Sequence, residues 1–218
     1  MADGSPSPSR AARAASQAAA FDRIGSGYDE VFPHKEGQLE AVRWLLQRIP
    51  AGSRVLDVGS GTGLPTAWQL VEAGMDVLGI DISPVMVELA RTNVPGAAFL
   101  QADVLDLAAD VGPFHAATAF FSLLMLPRAE IAVALERLGR LLMPGGWLVL
   151  AMVEADLDDV PIPFVGSTIR VSGYPRRELR GVVETAGYVV EEEAQHAYAP
   201  VADGAPPEVQ LFLLCRRP

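Results

Sequence analysis

The residues best suited to chemistry stand close together in this chain. From Val55 it reads Val-Leu-Asp-Val-Gly-Ser-Gly-Thr-Gly, placing Gly59, Gly61 and Gly63 at alternate positions behind an apolar run. Val55, Leu56 and Val58 have the character of a buried parallel strand. A helix is expected over 67–73, with Pro65 at its first turn, where a missing N–H costs nothing. Glycine permits both positive φ and close approach, so strand, glycine turn and helix together present bare backbone amides to a ligand. The spacing G-x-G-x-G is one residue short of the dinucleotide fingerprint. Asp57, two residues before Gly59, would sit badly beside a pyrophosphate and suits a cationic ligand. Two further acids, Asp81 and Asp103, stand at or near the ends of later apolar runs.

These groups need a scaffold that brings strand ends together. Met75 to Ile80 forms a second strand ending at Asp81, and Ile82-Ser83-Pro84 opens a helix through Ala90. Phe99 to Val104 is a third strand and Phe114 to Phe121 a fourth. A helix over 128–142 runs into the turn Met143-Pro144-Gly145-Gly146, and Trp147 to Val153 is the fifth strand. Strands alternating with helices imply a right-handedly wound parallel sheet with its ligand at the carboxyl ends. Residues 1–19, rich in Ala, Ser, Pro and Arg, read as a disordered tail. Residues 20–218 read as one domain: a cap over 20–50, a core over 51–153 and a C-terminal section over 154–218. Leu39, Val42, Leu45 and Leu46 give the cap a helix. The C-terminal section holds a loop over 154–172, a helix over 175–187, and strands over 188–197 and 209–216 with a Gly/Pro-rich connection.

The stretch Asp-Val-Gly-Ser-Gly-Thr-Gly resembles the first motif of the class I S-adenosylmethionine-dependent methyltransferases, and the resemblance runs from about Phe21 to Arg217. It implies an α/β, Rossmann-like, doubly wound sheet of seven mainly parallel strands, with an antiparallel last strand and an N-terminal helical cap. It also implies that S-adenosylmethionine is the cofactor. Gly59, Ser60, Gly61 and Gly63 would shape the loop around its methionine half, and Asp57 would orient the ammonium group. Asp81 would take the ribose hydroxyls, Asp103 the adenine amino group and the Val104 amide a ring nitrogen. Ile82 and Met86 would sandwich the adenine, and the Phe120 carbonyl would meet the ammonium end. Tyr28 would reach the methionine carboxylate. His34, on the cap, is the candidate general base, because histidine titrates near neutrality. His115 is expected to be structural.

The rest of the sequence bounds the acceptor. Phe120, Phe121, Leu123, Leu124, Met125 and Phe164 suggest an apolar or aromatic pocket for a small molecule, such as an indole or amine of secondary metabolism. Ala119-Phe120-Phe121-Ser122 stands where adenine and glutamine amino methyltransferases carry Asn-Pro-Pro-Tyr. A net charge of −10, with Lys35 the sole lysine among 17 basic residues, lacks the basic footprint of a nucleic-acid enzyme. One cysteine, Cys215, excludes an internal disulfide and any Cys-based zinc cluster. No membrane span or signal peptide is evident, so a cytoplasmic protein is expected, with no metal and with a homodimer left open. A protein that binds the cofactor without transferring methyl, or an RNA or protein methyltransferase, are the alternatives.

Overall fold

The structure, a computed structural model, describes residues 9–199 and 208–218. The first eight positions of the expected tail and most of the Gly/Pro-rich connection lie outside the described residues. The cap comprises α1 (Arg10–Ile24), α2 (Tyr28–Val31) and α3 (Glu36–Leu46). The core alternates β1 (Arg54–Val58), α4 (Thr66–Glu72), β2 (Asp76–Asp81), α5 (Pro84–Asn93), β3 (Ala98–Gln101), β4 (Phe114–Phe120), α6 (Arg128–Leu141) and β5 (Leu142–Val153). There follow β6 (Leu157–Phe164), β7 (Ser167–Gly173), α7 (Arg176–Thr185), β8 (Val189–Tyr198) and β9 (Glu208–Arg216).

Seven strands form one sheet in the order β3-β2-β1-β4-β5-β9-β8. The first five are parallel, and β9 runs antiparallel between β5 and β8. Alternation along β1 explains both layers, since successive side chains leave a strand on opposite faces. Leu56 and Val58 join the layer under α6 and α7, while Val55 joins the layer under α3, α4 and α5. Strand order reverses between β1 and β4, which opens a crevice at their carboxyl ends.

Three expectations change. Residues 10–19 are not a disordered tail but most of α1, which Ser9 caps by accepting from the Ala12 N–H at 3.3 Å. Alanine is the best helix former, and the buried stripe is Arg13, Gln17 and Ala20. That stripe is largely polar, so it carries no apolar period for a sequence reading to find. The section 154–172 is not a loop but largely a hairpin, β6–β7, turning at Val165 and Gly166, both with positive φ. Pro161 and Pro163 alternate with Ile162 and Phe164 along its free edge, where a missing N–H breaks no ladder. The turn expected at 143–146 is a bulge within β5, between the pairs Phe114↔Leu142 and Ala116↔Trp147.

Candidate active site

The glycine turn behaves as its spacing requires. Gly59, Gly61 and Gly63 have φ of +70, +52 and +80°. A Cβ at Gly59 would lie 2.3 Å from Ser122 Cβ, and one at Gly63 would press on Val94 and Ala90 of α5. Gly63 therefore serves helix packing, and Gly59 the approach of the loop to the end of β4. The Gly59 and Ser60 amides donate to the Ile80 carbonyl at 2.8 and 2.9 Å, tying the turn to β2.

Two buried acids flank this turn. Asp57 is 3% exposed, and its Oδ1 accepts from the Thr118 hydroxyl at 2.7 Å across the β1–β4 ladder. Its Oδ2 has no partner among the described residues. Burial pushes the Asp57 carboxyl up to about 7, against the Thr118 hydrogen bond and with added repulsion from Asp81. Asp81 is held by two amides: Gly61 donates to Oδ2 and Ser83 to Oδ1, each at 2.9 Å. Burial raises its pKa too, and these amides restrain the rise. Each Asp81 oxygen keeps a second lone pair for a ligand.

Asp103 follows β3, accepting from the Leu105 amide at 2.8 Å. It is covered from α1: Arg10 donates to Asp103 Oδ2 at 3.0 Å and to Asp106 at 2.5 Å. Arg13 pairs with Glu130, while the Gln17 amide bridges the Met125 and Arg170 carbonyls at 3.2 and 2.7 Å. The helix thus roofs a cavity of about 70 Å³ lined by Gly59, Asp81, Ile82, Asp103, Val104 and Ser122. Asp22 fixes the cap to α5 by accepting from the Ser83 hydroxyl at 2.5 Å, and Asp29 fixes it to the loop through Thr62 at 2.7 Å.

A second, larger pocket of about 340 Å³ lies between the cap, the hairpin and the start of β9. Phe121, Leu124, Met125 and Phe164 line it as expected, together with Phe21, Phe32, Ile162 and Ile169. Phe21, Tyr28, Phe32 and Phe164 close a ring of aromatic contacts, with centroids 5.0 to 6.2 Å apart, that joins cap to hairpin. Met125 lines both cavities.

Several expected residues are placed differently. Met86 is 1% exposed and is not part of the cavity lining. The Phe120 side chain packs edge-on to Phe212, and Leu123 lines the smaller cavity rather than the larger pocket. Tyr28 lines the larger pocket, and burial with the nearby Asp81 and Asp29 charges keeps its hydroxyl protonated, which suits a donor and not a base. His34 stands at the pocket rim, its side chain 55% exposed, stacked on Tyr198 at 4.1 Å. His115 accepts from the Arg54 amide at the far end of the sheet, a structural role.

Sequence reasoning missed Arg10, Gln17, Gln38, Gln210 and Thr118. Thr118 was findable, since a lone hydroxyl in an apolar strand needs a buried partner and Asp57 offered one. Among the described residues no helix is long and apolar enough to cross a membrane, and no group of three or more His, Cys, Asp or Glu is placed to hold a metal ion.

Comparison with known proteins agrees with this geometry. Residues 55–146 match the methyltransferase domain family. The chain is 33% identical over 154 residues to a demethylmenaquinone methyltransferase of Clavibacter sepedonicus, covering 67% of this chain and 60% of that protein. It is 33% identical over 153 residues to the methyltransferase GfsG of Streptomyces halstedii, covering 64% and 54%. It therefore spans less than two thirds of the curated relatives it matches. The fold superposes with a TM-score of 0.74 on the Burkholderia thailandensis 1,6-didemethyltoxoflavin N1-methyltransferase, solved with its substrate and S-adenosylhomocysteine, at 20% identity and covering 99% and 93% of the two chains. Glycine turn, strand order and these relatives agree: residues 55–146 are a methyltransferase domain, set in the fold of the class I S-adenosylmethionine-dependent methyltransferases.

Proposed function

We propose that this chain binds S-adenosylmethionine over the ends of β1, β2 and β3 and methylates a small molecule held in the larger pocket. One observation carries the reading: a crevice lined by Gly59, Asp81 and Asp103 and a pocket lined by Phe21, Phe32 and Phe164 share a wall at Met125. The residues fit the cofactor. Asp57 Oδ2, Ser60 Oγ and Ser122 Oγ are buried around the glycine turn without partners among the described residues, and a polar ligand would satisfy them. Bound, the cofactor supplies a methyl group on a positively charged sulfur, ready for in-line displacement.

The chain's own work is positioning. Asp57 attracts the cationic end, Asp81 holds the ribose hydroxyls, and Asp103 with the Val104 amide reads the adenine, while Ile82 packs against it. The cavity beneath α1 is smaller than the about 150 Å³ that holds a benzene ring in an engineered core, so cofactor entry displaces α1 and the Arg10–Asp103 contact. Tyr28 donates a hydrogen bond, and His34 passes the acceptor's proton outward from the rim. The acceptor is aromatic or apolar, with an indole or amine as the reacting group, because phenylalanines dominate the larger pocket.

Calorimetric titration with S-adenosylmethionine and S-adenosylhomocysteine, with NAD as control, tests this reading. Micromolar binding of both sulfur compounds and none of NAD is expected, followed by methyl transfer to indoles or amines. Binding without turnover on any acceptor would leave a cofactor-binding module. Asp81→Ala should weaken binding by about 1.5–3 kcal/mol, the cost of losing hydrogen bonds to a charged acceptor; an unchanged Kd removes Asp81 from the site.

A further inference from the structure

The larger pocket is apolar at one end only. At the other, Gln210 of β9 and Gln38 of α3 meet beside Lys35 and Glu208. Gln210 is 7% exposed, and its Nε2 donates to Glu208 Oε1 at 2.8 Å. A carboxylate can only accept, so Glu208 fixes which way the amide faces. The Gln210 carbonyl oxygen is thereby turned away from Glu208, and it has no protein donor among the described residues. That oxygen can be satisfied only by an N–H or O–H.

The lysine on this wall is already paired: Lys35 Nζ lies 3.3 Å from Asp29 Oδ1. An anionic ligand buried here would lose hydration without gaining a free counter-charge and would face the Glu208 carboxylate, which disfavours an anion. The volume of about 340 Å³ is more than twice the about 150 Å³ that accommodates one benzene ring, so a fused ring system fits. Position adds a constraint. β9 is two strands from β4, or roughly 10 Å at ordinary strand spacing, so Gln210 and the segment after β4 that carries Met125 line separate parts of the pocket.

Resting on the reading of this pocket as the acceptor site, we propose that its substrate is a planar, fused-ring heteroaromatic without negative charge whose ring N–H is anchored by the Gln210 carbonyl oxygen. A second, nucleophilic ring atom would take the methyl group as the carbon–sulfur bond of the cofactor breaks, and the ring proton displaced by the methyl group would leave to solvent. Gln210 is a specificity-determining residue, and Glu208 acts through it by holding its amide.

The test compares indole with 1-benzothiophene, which has the same ring shape with sulfur in place of N–H. Both are titrated calorimetrically into the full chain, with and without saturating S-adenosylhomocysteine. Indole should bind at least about tenfold tighter, the usual worth of one buried hydrogen bond. Gln210→Leu should abolish that preference through loss of indole affinity, leaving benzothiophene within about threefold. Glu208→Ala, which frees the amide to rotate, should reduce the preference without removing binding. Equal wild-type affinities, a preference that survives in Gln210→Leu, or binding of neither ring would each overturn the proposal. Failure of S-adenosylhomocysteine to bind would instead count against the cofactor reading, which the ring titrations without it keep separate.

Discussion

The crevice at the glycine turn and the apolar pocket beside it share a wall at Met125, yet they are built by different means. The crevice is made largely of backbone and of acids at strand ends, and its essential parts fall between Val55 and Asp103. The pocket is made of side chains from separated segments: Phe21 on α1, Met125 after β4, Phe164 on the hairpin and Gln210 on β9. A site formed by backbone conformation restricts residue type sharply, because only glycine tolerates the geometry at Gly59. A site formed by packing accepts any side chains that fill the space. The difference predicts that small changes in the crevice abolish function, while changes in the pocket retune it.

Gly59→Val should have the largest effect. Its side chain would collide with Ser122 at a backbone φ of +70°, so strain and clash act together. S-adenosylhomocysteine binding should fall at least about a hundredfold, since a steric clash and a non-glycine positive φ each cost on the order of 1–3 kcal/mol. Gly74→Val, also at positive φ but with open space around its Cβ, is the control and should bind normally. Equal loss in both variants would mean that backbone strain alone, and not the approach to β4, dictates the turn.

Asp57→Asn comes next and separates stability from binding. Burial holds the folded carboxyl near about 7, while an unfolded one titrates near about 4. The unfolded chain therefore releases its proton first, so the stabilising contribution present below pH 4 is lost as pH rises through about 7. Asp57→Asn should show a Tm advantage over wild type that grows between about pH 4 and 7, the span between the unfolded and folded titrations, and levels off above it. Its affinity for S-adenosylmethionine should be about tenfold weaker at pH 8 and lose the wild type's rise with pH, as one charge-assisted contact disappears. Tm curves that run parallel with pH would mean that Asp57 ionises in its ordinary range.

Phe164→Ala probes the other side. Phe164 stacks on Phe32 at 5.7 Å and meets Phe21 at 5.3 Å, joining hairpin to cap. The acceptor KM should rise about threefold to tenfold while S-adenosylhomocysteine affinity stays within about twofold, because roughly 1 kcal/mol of aromatic contact is lost from the pocket alone. A comparable loss in both quantities would show that the two chambers are one cooperative unit.

The same contrast explains what could be read from the chain. The alternation of strands and helices in the core and the glycine turn were legible because periodicity and glycine spacing are local signals. Helix α1 was not, since its buried face is Arg13 and Gln17, whose partners lie on α6, after β4 and on the hairpin. The hairpin hid behind Pro161 and Pro163, which resemble loop punctuation unless the free edge is known. Met86 was not decidable from the chain, because a fully buried methionine on a helix and one over a ligand look alike in sequence. Gln210 carries no signal at all until Glu208 is seen to orient it.

His34 should give the smallest effect, and it asks whether the pocket needs a base. A base in contact with its substrate contributes roughly 10²–10⁴-fold and must be within hydrogen-bond reach of the proton. His34 instead stands at the rim, more than half exposed and stacked on Tyr198, with Glu36 4.0 Å from its Nδ1. That position suits a relay that hands a proton to solvent after the acceptor has been methylated. His34→Ala should accordingly lower kcat by less than about tenfold, well short of the loss of a contact base. Full kcat in the variant from pH 6 to 9 would remove His34 from the reaction. A loss above about a hundredfold would instead put its ring against the acceptor, and the pocket would then depend on a single residue as strictly as the crevice does.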